Sequence, residues 1–344
     1  MKTYIADLQK IKNKSNAIKK AAGIIKNGGI VVFPTETVYG IGANAFNKDA
    51  CARIFKIKGR KSDNPLIVHA SDIEMVKKIG VLSKKDQQIM ERLWPGPVTI
   101  ILKAMPVISK VITGGIDTVA VRIPSNKIAI NLIKYAGVPI AAPSANPSGF
   151  PSATSGDHAE EYFNGKVNAI LKNGRTKYGI ESTVIDLSTM EILRPGSFNI
   201  KKLERIIGSK SRSPKKNSAT KSPGMKYRHY APKTAVFMFD GDSKKLQNIC
   251  DGLNNFAVIG PNTFCNKMQI QCKKIILTRH GADDAKRNLF DALIKLDKLH
   301  VAFGIIVVSK DMSDDPALIN RIEKATSNIK ILDKESLLNV LGNS

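Results

Sequence analysis

The chain has 344 residues, 42% of them apolar, which is enough to bury the cores of two domains rather than one. Its 54 lysines and arginines outnumber its 29 aspartates and glutamates, so the net charge at pH 7 is +25. No apolar run approaches the roughly 20 residues that cross a bilayer, and the start MKTYIADLQKIKNK lacks the apolar stretch of a signal peptide. These features exclude an integral membrane protein and predict a cytoplasmic protein without a membrane partner.

The composition also bears on two kinds of ligand, polyanions and metal ions. The positive charge raises the local concentration of nucleotides and RNA, but lysine is abundant throughout and much of it can be solvated surface. We expect a basic surface without a dedicated RNA site, and contact with tRNA or double-stranded RNA stays an alternative. The four cysteines show no CxxC pair and no nearby histidine spacing, which predicts core thiols and no metal site.

Strand-like apolar runs alternate with amphipathic helices over residues 1–208, which predicts an α/β domain. We expect Ser15 to cap the first helix, and Gly28 with Gly29 to end it before a strand at 30–33. Further strands are predicted at 66–70, 98–103, 118–123, 139–142 and 183–187, and helices at 48–57, 84–93, 126–136 and 154–163.

Residues 209–233 differ in composition from the rest of the chain. From Gly208 to Lys233 there are eight lysines or arginines and no acidic residue, with many serines and prolines, which predicts a linker. Beyond the linker, residues 234–344 read as a second, smaller, doubly wound α/β domain. Its strands are predicted at 234–240, 256–259, 274–278 and 303–309, and its clearest helix at 283–299.

The first motif with chemical meaning is PTETVYGIG at 34–42, where a strand ends and a turn begins. Threonine hydroxyls at a strand end can orient a small polar ligand, and Thr37 lies on the turn side. Gly40 and Gly42 also open a GxGxxG/A dinucleotide pattern, but the acidic residue required about 20 positions later on a second strand is missing. We therefore set the dinucleotide-binding interpretation aside.

Two further motifs carry cations. Lys58 and Arg60 stand in a glycine-containing loop ahead of Asn64, where they can bind phosphate oxygens or form a solvated basic loop. Arg122 lies in an otherwise apolar strand and needs an anionic partner, which is either a substrate carboxylate or an internal one. His69 stands near the end of the strand at 66–70, where a lone histidine is more often a packed structural residue.

Small and hydroxyl-bearing residues accompany two more strands. PSANPSG at 143–149 comes directly after the strand at 139–142, at the strand end where open α/β sheets bind ligands. Ser182 stands at a strand entrance, and Arg194 adds a cation beside a turn. Each segment is an ordinary turn by itself, and only their joint occurrence indicates a binding site.

In this order the motifs resemble the threonylcarbamoyl-AMP synthase family in its two-domain form. The matching segments are PTETVYGIG at 34–42, KGR at 58–60, NPLIVH at 64–69, AAPSANPSG at 141–149, ESTVID at 181–186 and LRPG at 193–196. SPGMKYRHYAP at 222–232 resembles the segment that joins the domains in longer members, whereas the C-terminal domain matches in length and pattern only. The resemblance implies a YrdC-like catalytic domain, built as a twisted open sheet flanked by helices, then a basic linker over the active site and a Rossmann-like domain.

The resemblance also implies a reaction, in which L-threonine, bicarbonate and ATP yield threonylcarbamoyl-AMP and pyrophosphate, with Mg²⁺ expected on the nucleotide. A separate transferase complex then delivers the group to an adenosine of tRNA. Residue matching assigns threonine contacts to Thr37, His69, Arg122, Ala142 and Ser182. It assigns ATP contacts to Arg60, Asn64, Thr118, Ser144, Ser152, Arg194 and Tyr230, and a catalytic role at the phosphates to Lys58 and Arg60.

The chain lacks the motifs of several other mechanisms, namely the Walker loop GxxxxGK[ST], the nucleophile elbow GxSxG and the metal helix HExxH. We therefore expect catalysis by proximity and charge, with Tyr230 and the linker folding over the cleft to exclude water. An RNA-binding module and a nucleotide-sensing regulator are the alternatives, and neither would release pyrophosphate.

Overall fold

The computed structural model describes residues 2–214 and 230–342. By their contacts these residues form two units, one of 2–148 with 152–214 and the other of 149–151 with 230–342. Each unit has a hydrophobic core of its own. None of the helices in the described ranges is both long and apolar enough to span a bilayer.

The N-terminal unit is a mixed sheet of eleven strands with helices on both faces. The strands are β1 Tyr4–Asp7, β2 Val31–Phe33, β3 Gly40–Asn44, β4 Ile67–His69, β5 Gly80–Val81, β6 Val98–Ala104, β7 Thr118–Arg122, β8 Ile140–Ala141, β9 Ala169–Lys172, β10 Thr183–Asp186 and β11 Glu191–Arg194. The helices are α1 Lys14–Lys26, α2 Lys48–Lys58, α3 Ile73–Lys77, α4 Lys84–Leu93, α5 Lys110–Thr113, α6 Lys127–Ala136, α7 Gly156–Phe163 and α8 Ile200–Ile207.

The strands pair in the order β1-β9-β2-β3-β8-β4-β7-β6-β10-β11, and β5 pairs with β6 beside this path. Side chains alternate between the two faces of the sheet, as the pleat of a strand requires. Val31 and Phe33 therefore pack in one core with α1 and α6, whereas Val32 packs in the other core with Ile54 of α2 and Met90 of α4. The sheet is buried on both faces, so its polar ligand sites lie at the strand ends.

The C-terminal unit is a five-stranded, fully parallel sheet in the order β14-β13-β15-β12-β16. The strands are β12 Ala235–Phe239, β13 Phe256–Pro261, β14 Lys273–Thr278, β15 Phe303–Val307 and β16 Lys330–Ile331. The helices are α9 Ser243–Ile249, α10 Asn262–Lys267, α11 Ala282–Lys298, α12 Lys310–Ser313, α13 Pro316–Ala325 and α14 Lys334–Gly342. This is the doubly wound α/β arrangement that the sequence predicts.

The helices of the C-terminal unit divide between the two faces of its sheet. Leu246 of α9, Cys265 of α10 and Leu337 of α14 share one core with alternate strand residues such as Phe237 and Val258. Helix α11 packs on β14 and α13 packs on β12, and neither contributes to that core. The chain thus changes face as it winds through the sheet, a property that creates a crevice at the strand ends.

The predicted strands and helices are confirmed, with ends that shift by at most two residues. Two local predictions are wrong. The side chain that caps α1 belongs to Asn13, which accepts the backbone N–H of Asn16, and the Ser15 hydroxyl contacts Tyr135 instead. Residues 40–44 form strand β3 rather than a turn, so the GxGxxG/A pattern has no loop that could hold a dinucleotide.

The predicted linker falls largely outside the described residues, because 215–229 and with them most of the SPGMKYRHYAP motif are not described. At its start, the backbone of Arg212 pairs with Met190 and Ile192 beside β11. The boundaries at 208 and 234 stay a prediction. The thiols of Cys51, Cys250 and Cys265 are free and buried, as expected for core cysteines, whereas Cys272 is free but only half-buried and departs from that prediction.

One glycine in the N-terminal unit is required by a close backbone approach. A Cβ built on Gly196 would lie 2.3 Å from both the carbonyl carbon of Ser182 and the nitrogen of Thr183. These are backbone atoms, so no rotamer change can relieve the contact. Gly196 therefore lets the turn after β11 pass directly against the entrance of β10.

We expect Gly196→Ala to lower the free energy of unfolding of the N-terminal unit by about 1–3 kcal/mol, the usual cost of overpacking. Gly23→Ala is the matched control, because Gly23 lies within α1 and a Cβ there would meet nothing within 4 Å. That control should stabilise the unit by about 0.5–1 kcal/mol through helix propensity. Urea denaturation of both variants measures the difference, and equal stabilities would contradict the close approach.

Candidate active site

The topology of the sheet brings several of the predicted residues to one edge. Strands β4 and β7 are parallel, and His69 and Arg122 are register partners at their carboxyl ends. Strand β6 runs antiparallel to β7 with Ile100 opposite Val121, so Thr99 lies next to Arg122 along that edge. Strand β10 begins beside β6, which places Ser182 at the same edge.

Arg122 is the most constrained charged residue of this edge. Its side chain is 3% exposed and its Nη2 lies 2.5 Å from Oε1 of Glu36, whose side chain is 4% exposed. Nη1 donates to the Thr37 hydroxyl at 2.9 Å and Nε donates to the carbonyl of Gly96 at 3.2 Å. The internal carboxylate that the sequence left open as a partner is therefore present, and it belongs to Glu36.

The Arg122–Glu36 contact is an ion pair without aligned hydrogen bonds. Within the described part of the chain, neither Glu36 oxygen nor Arg122 Nη2 has a hydrogen-bond partner, although all three atoms are buried. Burial alone would raise the pKa of Glu36, but the positive charge of Arg122 holds it below its usual value. Glu36 is therefore ionised, and the pair retains unused hydrogen-bonding capacity.

His69 is held in its neutral form beside this pair. Burial, and then the charge of Arg122, lower the pKa of His69 to about 3. Its Nδ1 is buried and makes no hydrogen bond to any residue that the structure describes. His69 is therefore a packed, neutral residue with one ring nitrogen that has no hydrogen bond to the described residues, and its contact with threonine stays a prediction.

Ser182 joins this edge to Arg194. Its hydroxyl lies 2.7 Å from that of Thr99, and Arg194 Nη2 donates to both the hydroxyl and the carbonyl of Ser182, at 3.1 and 2.9 Å. Ala142 follows β8 and is tied to the sheet by its N–H, which donates to the carbonyl of Ile67 at 2.8 Å. These contacts fix the backbone on which the predicted threonine and ATP residues stand.

Lys58 is not part of a solvated loop. It is 3% exposed, and its ammonium donates to the carbonyl of Ser144 at 2.6 Å and to that of Asn146. Burial, and then the neighbouring charge of Arg60, hold the pKa of Lys58 well below its usual value. In this structure Lys58 therefore anchors the 143–149 loop, which Ser148 N–H also ties to the Lys58 carbonyl at 2.8 Å.

Arg60 and Asn64 hold one another. Nη2 of Arg60 donates to the Asn64 side-chain oxygen at 2.5 Å and to the Pro65 carbonyl at 2.9 Å, and Nε donates to the Asn64 carbonyl at 3.1 Å. The hydroxyl of Thr118 is buried and has no hydrogen-bond partner among residues 2–214 and 230–342. Thr118 begins β7 and so lies at the opposite end of that strand from Arg122, and the ATP contacts of Arg60, Asn64 and Thr118 stay a prediction.

Two further predicted residues are fixed by hydrogen bonds in the N-terminal unit, and one belongs to the other unit. Ser152 donates to Oε1 of Glu181 at 2.7 Å, and Ser144 donates to the side-chain oxygen of Asn146 at 2.6 Å. Tyr230 lies in the C-terminal unit, where its ring stacks on Phe290 at 5.0 Å between centroids. Its ATP contact stays a prediction.

Sequence reasoning missed Glu36, Thr99 and Glu181. Glu36 could have been identified from the sequence, because it is the only acidic residue of the motif PTETVYGIG and Arg122 required an anionic partner. Thr99 had no signal, since a threonine inside an apolar strand is common. No group of three or more histidine, cysteine or acidic side chains in the described ranges is arranged to hold a metal ion.

The sequence and the fold both match one family. A family model described as telomere recombination, that of the Sua5/YciO/YrdC proteins, matches residues 23–196. A second model, described as the C-terminal domain of threonylcarbamoyl-AMP synthase, matches residues 198–327. Together these two matches account for most of the chain.

Relatives with both domains are similar over nearly their full length. Threonylcarbamoyl-AMP synthase of Pyrococcus abyssi is 39% identical over 324 residues, covering 90% of this chain and 94% of that protein. That of Bacillus subtilis is 37% identical over 320 residues, covering 90% and 92%. The crystal structure of P. abyssi Sua5 complexed with L-threonine superposes with a TM-score of 0.85 over 96% of this chain and all of that one, at 37% identity. The chain therefore belongs to the threonylcarbamoyl-AMP synthase family, in the form that carries both domains.

Proposed function

We infer that the chain converts L-threonine, bicarbonate and ATP into threonylcarbamoyl-AMP and pyrophosphate, for the N6-threonylcarbamoyladenosine modification of tRNA. The observation that carries this function is the buried Arg122–Glu36 pair, with neutral His69 and the Thr37 hydroxyl beside it. The pair offers unused hydrogen-bonding atoms of both charges, which suits a zwitterionic amino acid. The threonine bound to the P. abyssi relative supports the same assignment.

The threonine-binding part of the site is proposed to consist of Thr37, His69, Arg122, Ala142 and Ser182. Arg122 would hold the substrate carboxylate through Nη2, which apart from its ion pair with Glu36 makes no hydrogen bond to the described residues. Because the pKa of His69 is about 3, its ring is too weak a base to deprotonate the amine near neutral pH. We therefore assign His69 to hydrogen bonding through Nδ1, not to proton abstraction.

The ATP-binding part is proposed to consist of Arg60, Asn64, Thr118, Ser144, Ser152, Arg194 and, from the C-terminal unit, Tyr230. Arg60 and Arg194 would neutralise the phosphates, and the buried Thr118 hydroxyl has a hydrogen bond to offer. Lys58 would either contact the phosphates directly, as the sequence predicts, or position the 143–149 loop, whose carbonyls of Ser144 and Asn146 it binds in this structure. Mg²⁺ would be bound by the triphosphate oxygens of ATP and would offset their negative charge.

The reaction needs no protein nucleophile. Bicarbonate supplies carbon dioxide by losing its hydroxide, the threonine amine forms a bond to that carbon, and the amine proton joins the hydroxide as water. The resulting carbamate then attacks the α-phosphorus of ATP through one of its oxygens. The bond from the α-phosphorus to the bridging oxygen breaks, and pyrophosphate leaves with the electron pair. The chain's contribution is to align the two substrates and to stabilise the charge on the departing pyrophosphate, which makes it a nucleotidyltransferase.

We also propose a cellular setting for the reaction. We place the chain in the cytoplasm, where a separate transferase complex would accept the product and transfer it to tRNA. The linker would fold over the cleft and protect the adenylate from water. Direct contact with tRNA or double-stranded RNA is a further proposal, supported by the net charge of +25.

The function is tested by pyrophosphate release from ATP by the purified chain, with and without L-threonine and bicarbonate, and with L-serine as the near-miss substrate. We expect release that requires both threonine and bicarbonate. ATP binding without threonine-dependent release would favour a nucleotide sensor. RNA binding that falls steeply with salt and does not respond to ATP would favour an RNA-binding module.

Arg122→Lys tests the threonine site while keeping a positive charge beside Glu36. Lysine cannot reproduce the forked contact of a guanidinium, so we expect the KM for threonine to rise about 10- to 100-fold, or about 1.4–2.7 kcal/mol. The KM for ATP should stay near its original value. Arg92→Lys on α4 is the matched control, and an unchanged KM for threonine in Arg122→Lys would contradict the assignment.

The low pKa of His69 predicts that acid destabilises the fold before carboxylates are titrated. The unfolded chain binds a proton at His69 near pH 6.5, whereas the folded chain does so only near pH 3. Stability is therefore lost as the pH falls from 6.5, by about 2 kcal/mol between pH 7 and 5. In His69→Gln, the free energy of unfolding measured by denaturation should not show this loss between pH 7 and 5. His158→Gln is the matched control, because it also removes one imidazole. An unchanged pH dependence in His69→Gln would show that the buried ring is not responsible.

A further inference from the structure

The C-terminal unit contains a cleft of about 400 Å³ that the proposed reaction does not use. Residues after four successive strands line it: Gly241 after β12, Asn262 after β13, Arg279 after β14 and Ser309 after β15. All four strands are parallel, so their carboxyl ends open on the same edge of the sheet. The volume is within the range of small-molecule sites, about 300–1,000 Å³.

The winding of the sheet explains why the cleft opens at this edge. Strands β13 and β15 are neighbours, but the segment after β13 continues into α10 and the segment after β15 continues into α12. Helix α10 belongs to the core on one face of the sheet, whereas α12 packs against α11 and α13 on the other. Two adjacent strands that send their helices to opposite faces leave a crevice between them, which is where open α/β sheets bind ligands.

The charged groups of the cleft are two acids and two cations, and they differ in their local partners. Asp242 already accepts the N–H of Lys245 as the cap of α9, and Asp311 accepts the hydroxyl of Ser309 at 2.5 Å. In contrast, the side chains of Lys267 and Arg279 form no ion pair with any residue that the structure describes. The acids of the cleft are engaged locally, and its two cations are free to bind a ligand.

Other lysines of the unit, such as Lys244 and Lys273, also form no ion pair with the described residues, and Lys267 and Arg279 differ from them in lining the cleft. Residues 230–342 contain 16 lysines and arginines and 13 aspartates and glutamates, so nearly all of the net charge of +25 belongs to the rest of the chain. The C-terminal unit therefore has only a small excess of positive charge of its own. The placement of Lys267 and Arg279 at the carboxyl ends of the strands is a local feature.

The remaining lining supplies the other surfaces that a nucleotide needs. Phe264, Pro261 and Val308 form an apolar wall, on which the face of a base can pack. Thr263 and Ser243 add hydroxyl groups that can contact a sugar or a phosphate. An inorganic anion alone would leave the apolar wall unused.

We propose that the cleft between the carboxyl ends of β12, β13, β14 and β15 binds a nucleoside phosphate, with Lys267 and Arg279 on the phosphate groups and the Phe264 wall beside the base. The site lies within the C-terminal unit and shares no residue with the proposed catalytic site. It gives this unit a ligand-binding role of its own, and it does not rest on the proposed reaction.

Hydrogen exchange of the full chain tests the proposal, because it separates the two units peptide by peptide. ADP, GDP and UDP are the probes, with inorganic phosphate and adenosine as single-part controls. We expect at least one nucleotide to slow exchange in peptides covering 241–247, 262–268 and 278–284. The double variant Lys267→Ala/Arg279→Ala should need about tenfold or more nucleotide for the same protection.

The matched control is Lys273→Ala/Lys295→Ala, which removes the same charge from exposed positions outside the cleft. It should bind as the original chain does, and unchanged thermal unfolding of both double variants would show that each is folded. The proposal is overturned if no nucleotide protects the three peptides at millimolar concentration. It is also overturned if phosphate alone protects them as well as the nucleotides do, or if both double variants weaken binding equally.

Discussion

The Arg122–Glu36 ion pair is the interaction on which the arrangement of the N-terminal unit depends. Removing two charges from water costs several kcal/mol for each ion, and only a close partner offsets that cost. Arg122 ends β7, whereas Glu36 lies between β2 and β3, so the pair requires those distant strands to meet at one edge. The turn at 34–39 therefore has little freedom to move without leaving a charge buried and unpaired.

Two different electrostatic environments meet within the N-terminal unit. On the side of Arg122 and Glu36 the charges balance, which suits a ligand that carries both signs, and burial keeps His69 beside them neutral. On the side of Lys58 the ammonium is held by neutral carbonyl oxygens, so its charge is not cancelled by a direct carboxylate partner. A triphosphate would meet a lysine without a carboxylate partner there, whose protonation its own negative charge would favour, and an amino acid would meet a balanced pair.

The pattern of apolar residues was sufficient to predict the buried strands and long helices, because each has a side-chain period of its own. It failed for β3, whose GIGAN sequence has two glycines and reads as a turn, and for the cap of α1, where Asn13 competed with Ser15. The candidate site was predictable as a set of motifs, since each lies at a strand end. Its internal partners were not, because the pairing of Arg122 with Glu36 and of Ser182 with Thr99 depends on strand order.

The passage of Gly196 against the entrance of β10 links two motifs that are otherwise separate in the chain. The LRPG turn can lie where it does only if position 196 has no side chain and if the Ser182–Thr183 peptide keeps its place. Arg194, which belongs to the LRPG motif, donates hydrogen bonds to the carbonyl and the hydroxyl of Ser182. The positions of the guanidinium and the hydroxyl therefore depend on one another. Among related proteins, a substitution that shifts the backbone at one of these motifs would be tolerated only together with a compensating substitution at the other. The two motifs would therefore vary together.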